Sequence, residues 1–231
     1  MKKYMLAMVL LQVACASKDT TDGMGTVKGR VRQADGRPLA GVSILVDNSI
    51  FFNSHLSTKT DGQGYYTLTV PTGSWYAFAQ LQKTYHGRRY TFYLHPENSA
   101  GFGGEGGIRD FTWRLTGERP APLTGYYGGL VTIDNFPGVY LESGDIVFRF
   151  TPQGARVDGS AGEPLTRRAE DGHQITDIPI GRYTVTAYYG PERLTLRRWN
   201  SDDTFQDALT FDFEPQIAGQ CDNCFMLEYN R

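Results

Sequence analysis

GTVKGRVRQADGRPLAGVSILV (residues 25–46) alternates with a period of two rather than 3.6. Val27, Gly29 and Val31 fall on one side and Lys28, Arg30 and Arg32 on the other, the pattern of a half-buried strand. Asp35-Gly36 supplies a turn, and Val42, Ile44 and Val46 resume the alternation. Further along, Tyr66, Leu68 and Val70 repeat it after Asp61-Gly62, and Pro71-Thr72-Gly73 closes that run. No window combines helical periodicity with capping residues, so short strands at turn spacing predict an all-β sandwich.

Together with TKTDGQGYYTLTVPTGSWYAFAQ (residues 58–80), this stretch resembles the carboxypeptidase regulatory-like domain. The matching positions are Gly29 and Val31 on the first strand, Gly36-Arg37-Pro38-Leu39 in the turn, and Gly41-Val42 opening the second strand. Thr60-Asp61-Gly62 and the series Tyr66, Leu68, Pro71, Gly73 complete the match, which covers about residues 26–82. The resemblance implies a transthyretin-like (prealbumin-like) Greek-key sandwich over residues 26–118. Strands are expected to continue through Arg88–His95 and Arg109–Leu115.

Arg119-Pro120-Ala121-Pro122 opens a Pro-rich joint, residues 119–123, short and stiff enough to set a defined angle. Beyond it, Asp145 to Phe150 alternates again, and Ile178-Pro179-Ile180-Gly181-Arg182-Tyr183 echoes Val70-Pro71-Thr72-Gly73-Ser74-Trp75. In both, an apolar strand end meets Pro-x-Gly and an aromatic leads the next strand. A second sandwich is expected over residues 124–231, making two tandem antiparallel β-sandwich domains after a signal peptide. As a whole the chain resembles bacterial envelope proteins in which such a domain precedes a second β domain, a resemblance that implies no activity.

The first residues read as processing information. Lys2 and Lys3 precede an apolar run, Tyr4 to Val13, too short to span a bilayer, so residues 1–14 read as a signal peptide. Val13-Ala14-Cys15 resembles the end of a bacterial lipobox, which implies a lipid on Cys15 and attachment to a membrane. Gln12 stands where that pattern has Leu, and an ordinary signal peptide with a chance cysteine is the alternative. Residues 15–25 are small and polar, as a flexible tether requires. Ala16 after the cysteine, by resemblance to enterobacterial lipoproteins, points to the outer membrane of the cell envelope.

Composition narrows the function. A formal net charge of −2 gives no electrostatic basis for binding nucleic acid or an anionic membrane surface. Gly101-Phe102-Gly103-Gly104-Glu105-Gly106 has the letters of a dinucleotide fingerprint, but no helical pattern follows it, and it reads as a mobile loop. His55, His86, His95 and His173 are scattered, with no zinc-protease spacing and no Gly-x-Ser-x-Gly elbow. Neither a cofactor site nor a calcium or zinc ligand set is recognisable, so no cofactor or metal is expected. Lys28 alternates away from the apolar face, which argues against a self-formed lysine–asparagine crosslink. Cys221-Asp222-Asn223-Cys224 lacks a helical context for redox chemistry. With Cys15 lipidated it holds the remaining thiols, so a local disulfide fixing the turn into the last strand is expected.

Aromatics make up 13% of the chain, and most must fill the two cores, since half of each strand faces inward; core packing or interdomain contact is the default account of any single ring. Where two are adjacent, alternation turns one outward, which selects Tyr65, Tyr76, Tyr127 and Tyr189 as candidate ligand-stacking rings. The functional expectation is a non-enzymatic cell-envelope lipoprotein whose sandwiches act as a binding or structural module, with a glycan or an envelope protein as ligand. The alternative is an accessory domain protein of, or a cryptic, extracytoplasmic hydrolase using His95, His173 and nearby acids.

Overall fold

The computed structural model describes residues 24–169 and 171–231. The signal peptide, Cys15 and nearly all of the tether lie outside the described residues. The opening alternation becomes β1 (Gly25–Gln33), with Val27 and Val31 fully buried and Lys28 exposed. Gly29 has to lack a Cβ, because the backbone of Arg109 crosses β1 there.

Seven further strands follow: β2 (Ser43–Asn48), β3 (His55–Lys59), β4 (Tyr65–Val70), β5 (Trp75–Tyr85), β6 (Arg88–Leu94), β7 (Gly106–Ile108) and β8 (Phe111–Trp113). They form two sheets, β4-β1-β7 with β8 also on β1, and β3-β2-β5-β6. Turn chemistry explains the corners. Asp61 accepts the backbone N–H groups of Gln63 (2.9 Å) and Tyr65 (2.9 Å), closing the β3–β4 turn.

The remaining strands are β9 (Gly129–Asn135), β10 (Ile146–Pro152), β11 (Leu165–Arg167), β12 (Gln174–Ile178), β13 (Arg182–Tyr189), β14 (Glu192–Arg198), β15 (Leu209–Asp212), β16 (Glu214–Ile217) and β17 (Cys221–Asn230). They join in the order β11-β10-β13-β14-β17-β9-β12, with β15 on β13 and β16 on β17. The wiring repeats that of the first half. β12 pairs β9 as β4 pairs β1, and β11-β10-β13 matches β3-β2-β5. The differences are the added strands β15 and β16, and β14, which pairs both β13 and β17 and so joins the two sheets.

The sequence echo acquires a physical meaning here. Trp75 Nε1 donates to the carbonyl of Pro71 (3.0 Å), and Tyr183 Oη donates to the carbonyl of Pro179 (2.9 Å). Each ring is buried, and each locks the crossing from one sheet to the other, β4 to β5 and β12 to β13.

Two expectations are corrected, and the conformation of the Pro-rich joint becomes visible. The sheets are not wholly antiparallel: β7 and β8 run parallel to β1, and β17 runs parallel to β9. In each half a late strand returns beside the first one in the same direction. The glycine-rich stretch is not a free loop, because Phe102 is buried and exchanges backbone hydrogen bonds with Trp75 (2.8 and 2.9 Å). Arg109 stacks over the Phe102 ring at 4.8 Å and donates to the carbonyl of Ala100. Finally, the Pro-rich joint folds back on itself. Arg119 N–H bonds to Gly125 O and Tyr127 N–H to Gly117 O, both at 2.9 Å. Asp177 accepts the N–H groups of Gly117 (2.9 Å) and Gly128 (3.2 Å), tying down both ends of this excursion.

The halves meet where the β5–β6 hairpin docks on β13, β15 and β16. Tyr85 Oη donates to Ala155 O (2.8 Å) and accepts from Arg182 N–H (3.1 Å), while Tyr90 Oη donates to Phe213 O (2.6 Å). His86 meets Asp212 at 2.8 Å, and Glu214 is held by Arg88 and Arg198, each at 2.7 Å. The buried apolar side chains of both halves form one contiguous cluster.

Two outcomes are expected. Tyr183→Phe strands the buried Pro179 carbonyl and should lower stability to urea by ~1–2 kcal/mol; an unchanged midpoint would show that the corner does not stabilise the fold. For Glu214, burial opposes ionisation, but hydrogen bonds from Arg198 and Arg88 outweigh it and hold the carboxyl below its ordinary value of 4.5. A lowered folded-state pKa stabilises above the unfolded value and is lost as pH falls through the folded one. Glu214→Gln should therefore flatten the acid side of a melting-temperature profile below 4.5; a profile parallel to the parent's would exclude this linkage.

Candidate functional site

Strand alternation in the β3-β2-β5-β6 sheet turns Ile44, Val46, Ala77, Ala79, Tyr90 and Phe92 into the core. The same rule leaves Leu45, Tyr76, Phe78 and Tyr93 on the outer face. Register brings them together, with Leu45 opposite Phe78, Asp47 opposite Tyr76, and Gln80 opposite Tyr93. Tyr76 and Phe78 lie 6.5 Å apart at 24°. Tyr76 is 44% exposed and Tyr93 52%, so the face presents open rings rather than core rings. Tyr76 Oη donates to Asp47 Oδ2 at 3.1 Å. Partial burial, then that hydrogen bond, raise the Tyr76 pKa, which keeps its hydroxyl a neutral donor. A groove of about 450 Å³ runs between Tyr76 and the β2–β3 loop. A flat aromatic face rimmed by a carboxylate and amides can stack on a sugar ring or take apolar side chains of a protein.

Of the four rings selected from sequence, only Tyr76 belongs to this face. Tyr65 is exposed on the other sheet, with the Arg30 guanidinium 5.1 Å over its ring. Two selections are corrected, because the partner of each pair faces out. Ala187 is buried on β13, so Tyr189 shares its side and packs on the core, while Tyr188 lies outward between Arg149 (4.8 Å) and Arg193 (6.0 Å). Tyr127 turns inward beside His95, 6.1 Å between ring centres, and Tyr126 is the exposed one. Leu45, Phe78 and Tyr93 were missed. The i, i+2 spacing of Tyr76 and Phe78 is visible in the sequence, but the other two join only through cross-strand register.

A second concavity, about 440 Å³, lies at the junction and is lined by His95, Glu97, Thr112, Arg114, Glu118 and Tyr127 among others. Glu97 accepts from Thr112 (2.8 Å) and Arg32 (2.7 Å), and those hydrogen bonds hold it ionised below the ordinary carboxylate range. Burial, helped by Arg119, lowers the pKa of His95 and favours its neutral form. His173 lies elsewhere, exposed, with its carbonyl accepting Ile133 N–H and its own N–H donated to Asp171. The histidine pair of the hydrolase reading is thus not assembled.

Cys221 and Cys224 form a disulfide with their Cα atoms 6.0 Å apart. It lies inside β17 rather than in a turn before it, and it brackets Asn223, whose φ is +51°. Asn223 Nδ2 reaches across to Thr91 O at 3.3 Å, so the distorted strand segment touches the first half.

These features define an all-β protein with an open aromatic face and no assembled catalytic histidine pair among the described residues. Residues 26–100 match the carboxypeptidase regulatory-like domain family, the one that the opening stretch resembles. Strands β7 and β8 lie beyond that match and complete the first sheet on β1. Among solved structures, the chain is similar to the Bacillus anthracis TIE protein, at 13% identity and a TM-score of 0.34, covering 89% of this chain and 33% of that one. It is also similar to a streptococcal ancillary pilin (10%, 0.29, covering 91% and 64%). A mutant form of the major pilin from Streptococcus pyogenes is a further match (14%, 0.27, covering 90% and 98%). The chain thus spans about a third of the TIE protein and under two thirds of the ancillary pilin. No curated protein matches the chain.

The disulfide gives a direct test. Thiol labelling of the denatured, unreduced protein should leave Cys221 and Cys224 unmodified, and labelling of both would remove the bridge. Because the loop is so short, the Cys221→Ser/Cys224→Ser double variant should lose no more than roughly 2 kcal/mol.

Proposed function

We propose that this protein is a non-enzymatic cell-envelope lipoprotein, held to the outer membrane by a lipid on Cys15, whose two tandem sandwiches (residues 26–118 and 124–231) act as a binding module for a glycan or protein ligand. The observation that carries the binding role is the outward aromatic face of Tyr76, Phe78, Tyr93 and Leu45, which lies on a rigid sheet instead of a loop. Large rings left open on regular structure lose little conformational entropy when they meet a partner. The tandem reading is supported by the repeated wiring and by the two aromatic-to-proline corners. The membrane reading rests on the small-residue-Cys pair after an apolar run and on the polar stretch behind it.

The test is a glycan array and a pull-down from envelope extract with the full chain. Binding should fall at least about tenfold in Tyr76→Ser/Tyr93→Ser, a loss of ~1.4 kcal/mol, and stay unchanged in Tyr65→Ser. Binding insensitive to the double change would move the site off this face. Empty results in both assays would favour a purely structural spacer.

A further inference from the structure

The β2–β3 connection reads Asn48-Ser49-Ile50-Phe51-Phe52-Asn53-Ser54, and its three central side chains point to solvent. Ile50 is 70% exposed, Phe51 67% and Phe52 102%. Three consecutive large apolar side chains at a loop tip are far more than scattered surface hydrophobicity. Four backbone donors at the base of this tip are engaged. Asn48 Oδ1 accepts the N–H groups of Ile50 (2.9 Å) and Phe51 (3.0 Å), Asn48 N–H bonds to Ser54 O, and Ser49 N–H bonds to Ser74 O. The tip is therefore a preformed projection, and Asn48 to Ser54 contains no ionisable side chain.

Its place in the fold is as informative as its composition. Gly25, where the chain enters β1, pairs with Val70 at the end of β4. The Pro71–Ser74 turn leads from there to Trp75, which pairs with Asn48 at the root of the tip. The entry point and the tip thus share one end of the first half, and exposed Met24 lies there too. The second half docks at the other end of β5, a strand of 11 residues, so roughly 30 Å away.

We propose that Ile50, Phe51 and Phe52 form a foot that enters the interfacial region of a lipid bilayer. This rests on the reading that Cys15 is lipidated. About ten residues separate Cys15 from β1, so a lipid there would keep this end of the domain close to the membrane surface. A convex, uncharged tip whose first-turn backbone donors are engaged suits a lipid interface, where no partner pocket is needed and no ion must be desolvated. The strands would then stand on the membrane, with Phe78 and Tyr93 directed sideways and the groove beside Tyr76 at the membrane surface.

The test uses the full chain carrying Cys15→Ser, so that attachment by lipid is removed. An environment-sensitive dye is placed on Phe52→Cys, or on Gln63→Cys at the opposite end as a control. The probe is vesicles of phosphatidylethanolamine with a minority of phosphatidylglycerol. The dye at 52 should shift to the blue and be quenched by lipids carrying a nitroxide on the acyl chain, with little dependence on salt, and the dye at 63 should do neither. Sedimentation with vesicles should weaken at least tenfold in Ile50→Ser/Phe51→Ser/Phe52→Ser, whose thermal melt should match the parent's because these side chains contact solvent. Vesicle binding without quenching at 52 overturns the foot. So does a protein adduct, in place of lipid quenching, when a photocrosslinker on Phe52→Cys is used in cells. Intact mass of the wild-type protein from membranes reports the Cys15 lipid separately, so quenching at 52 without that lipid keeps the foot and removes the anchor.

Discussion

A buried ring donating a hydrogen bond to a proline carbonyl four residues earlier fixes each half of this molecule. The chain has to leave one sheet and enter the other at Val70–Trp75 and again at Ile178–Tyr183. A crossing of that kind leaves carbonyls near the core without ladder partners, and burial makes an unpaired one costly. Tyr183 removes that cost at the buried Pro179, Trp75 makes the same bond to the more exposed Pro71, and both rings fill the core. Proline sets the backbone angle at the corner, and the strand that follows inherits its phase from the ring. The inward series of β5 and β13, and hence the outward position of Tyr76 and Tyr188, descend from that one arrangement.

The junction follows the same rule with different partners. Tyr85 and Tyr90 bring large apolar rings to the contact, yet each hydroxyl ends on a backbone group of the second half. Burial pushes the ionisation of both phenols upward, so they remain neutral donors across the physiological range. The charged pairs around Glu214 sit nearer solvent and orient the contact more than they stabilise it. Asp177 adds a further constraint by clamping the ends of the joint. Two similarly wired units therefore share one core contact, in which side chains of one half bond to backbone groups of the other.

Strand existence, turn positions and the proline–aromatic echo were legible in the sequence because period-two alternation and Gly or Pro punctuation act locally. The candidate face was only partly legible. Tyr76 and Phe78 share a strand, but Leu45 and Tyr93 reach them through the pairing of β2 and β6 with β5, which no local pattern encodes. Local alternation puts Tyr189 on the wrong side because the phase of β13 is set by Tyr183, six residues back, and an adjacent aromatic pair gives no phase of its own. The inward turn of Tyr127 is hidden from local sequence because the joint folds back and is held by Asp177, a residue far along the chain. The glycine run hid its anchor, since Phe102 is one apolar residue among letters that signal freedom.

The parallel placement of β7 and β8 on β1 has a mechanical consequence. β1 is the strand through which the described part of the protein begins, and it is flanked by β4 on one side and by β7 and β8 on the other. A pull on Met24 along the strand axis loads both rows of hydrogen bonds together, in shear, instead of opening them singly like a zipper. Force arriving through the N-terminal segment is therefore shared along the whole length of β1, and the end of the domain where the chain enters is also its grip.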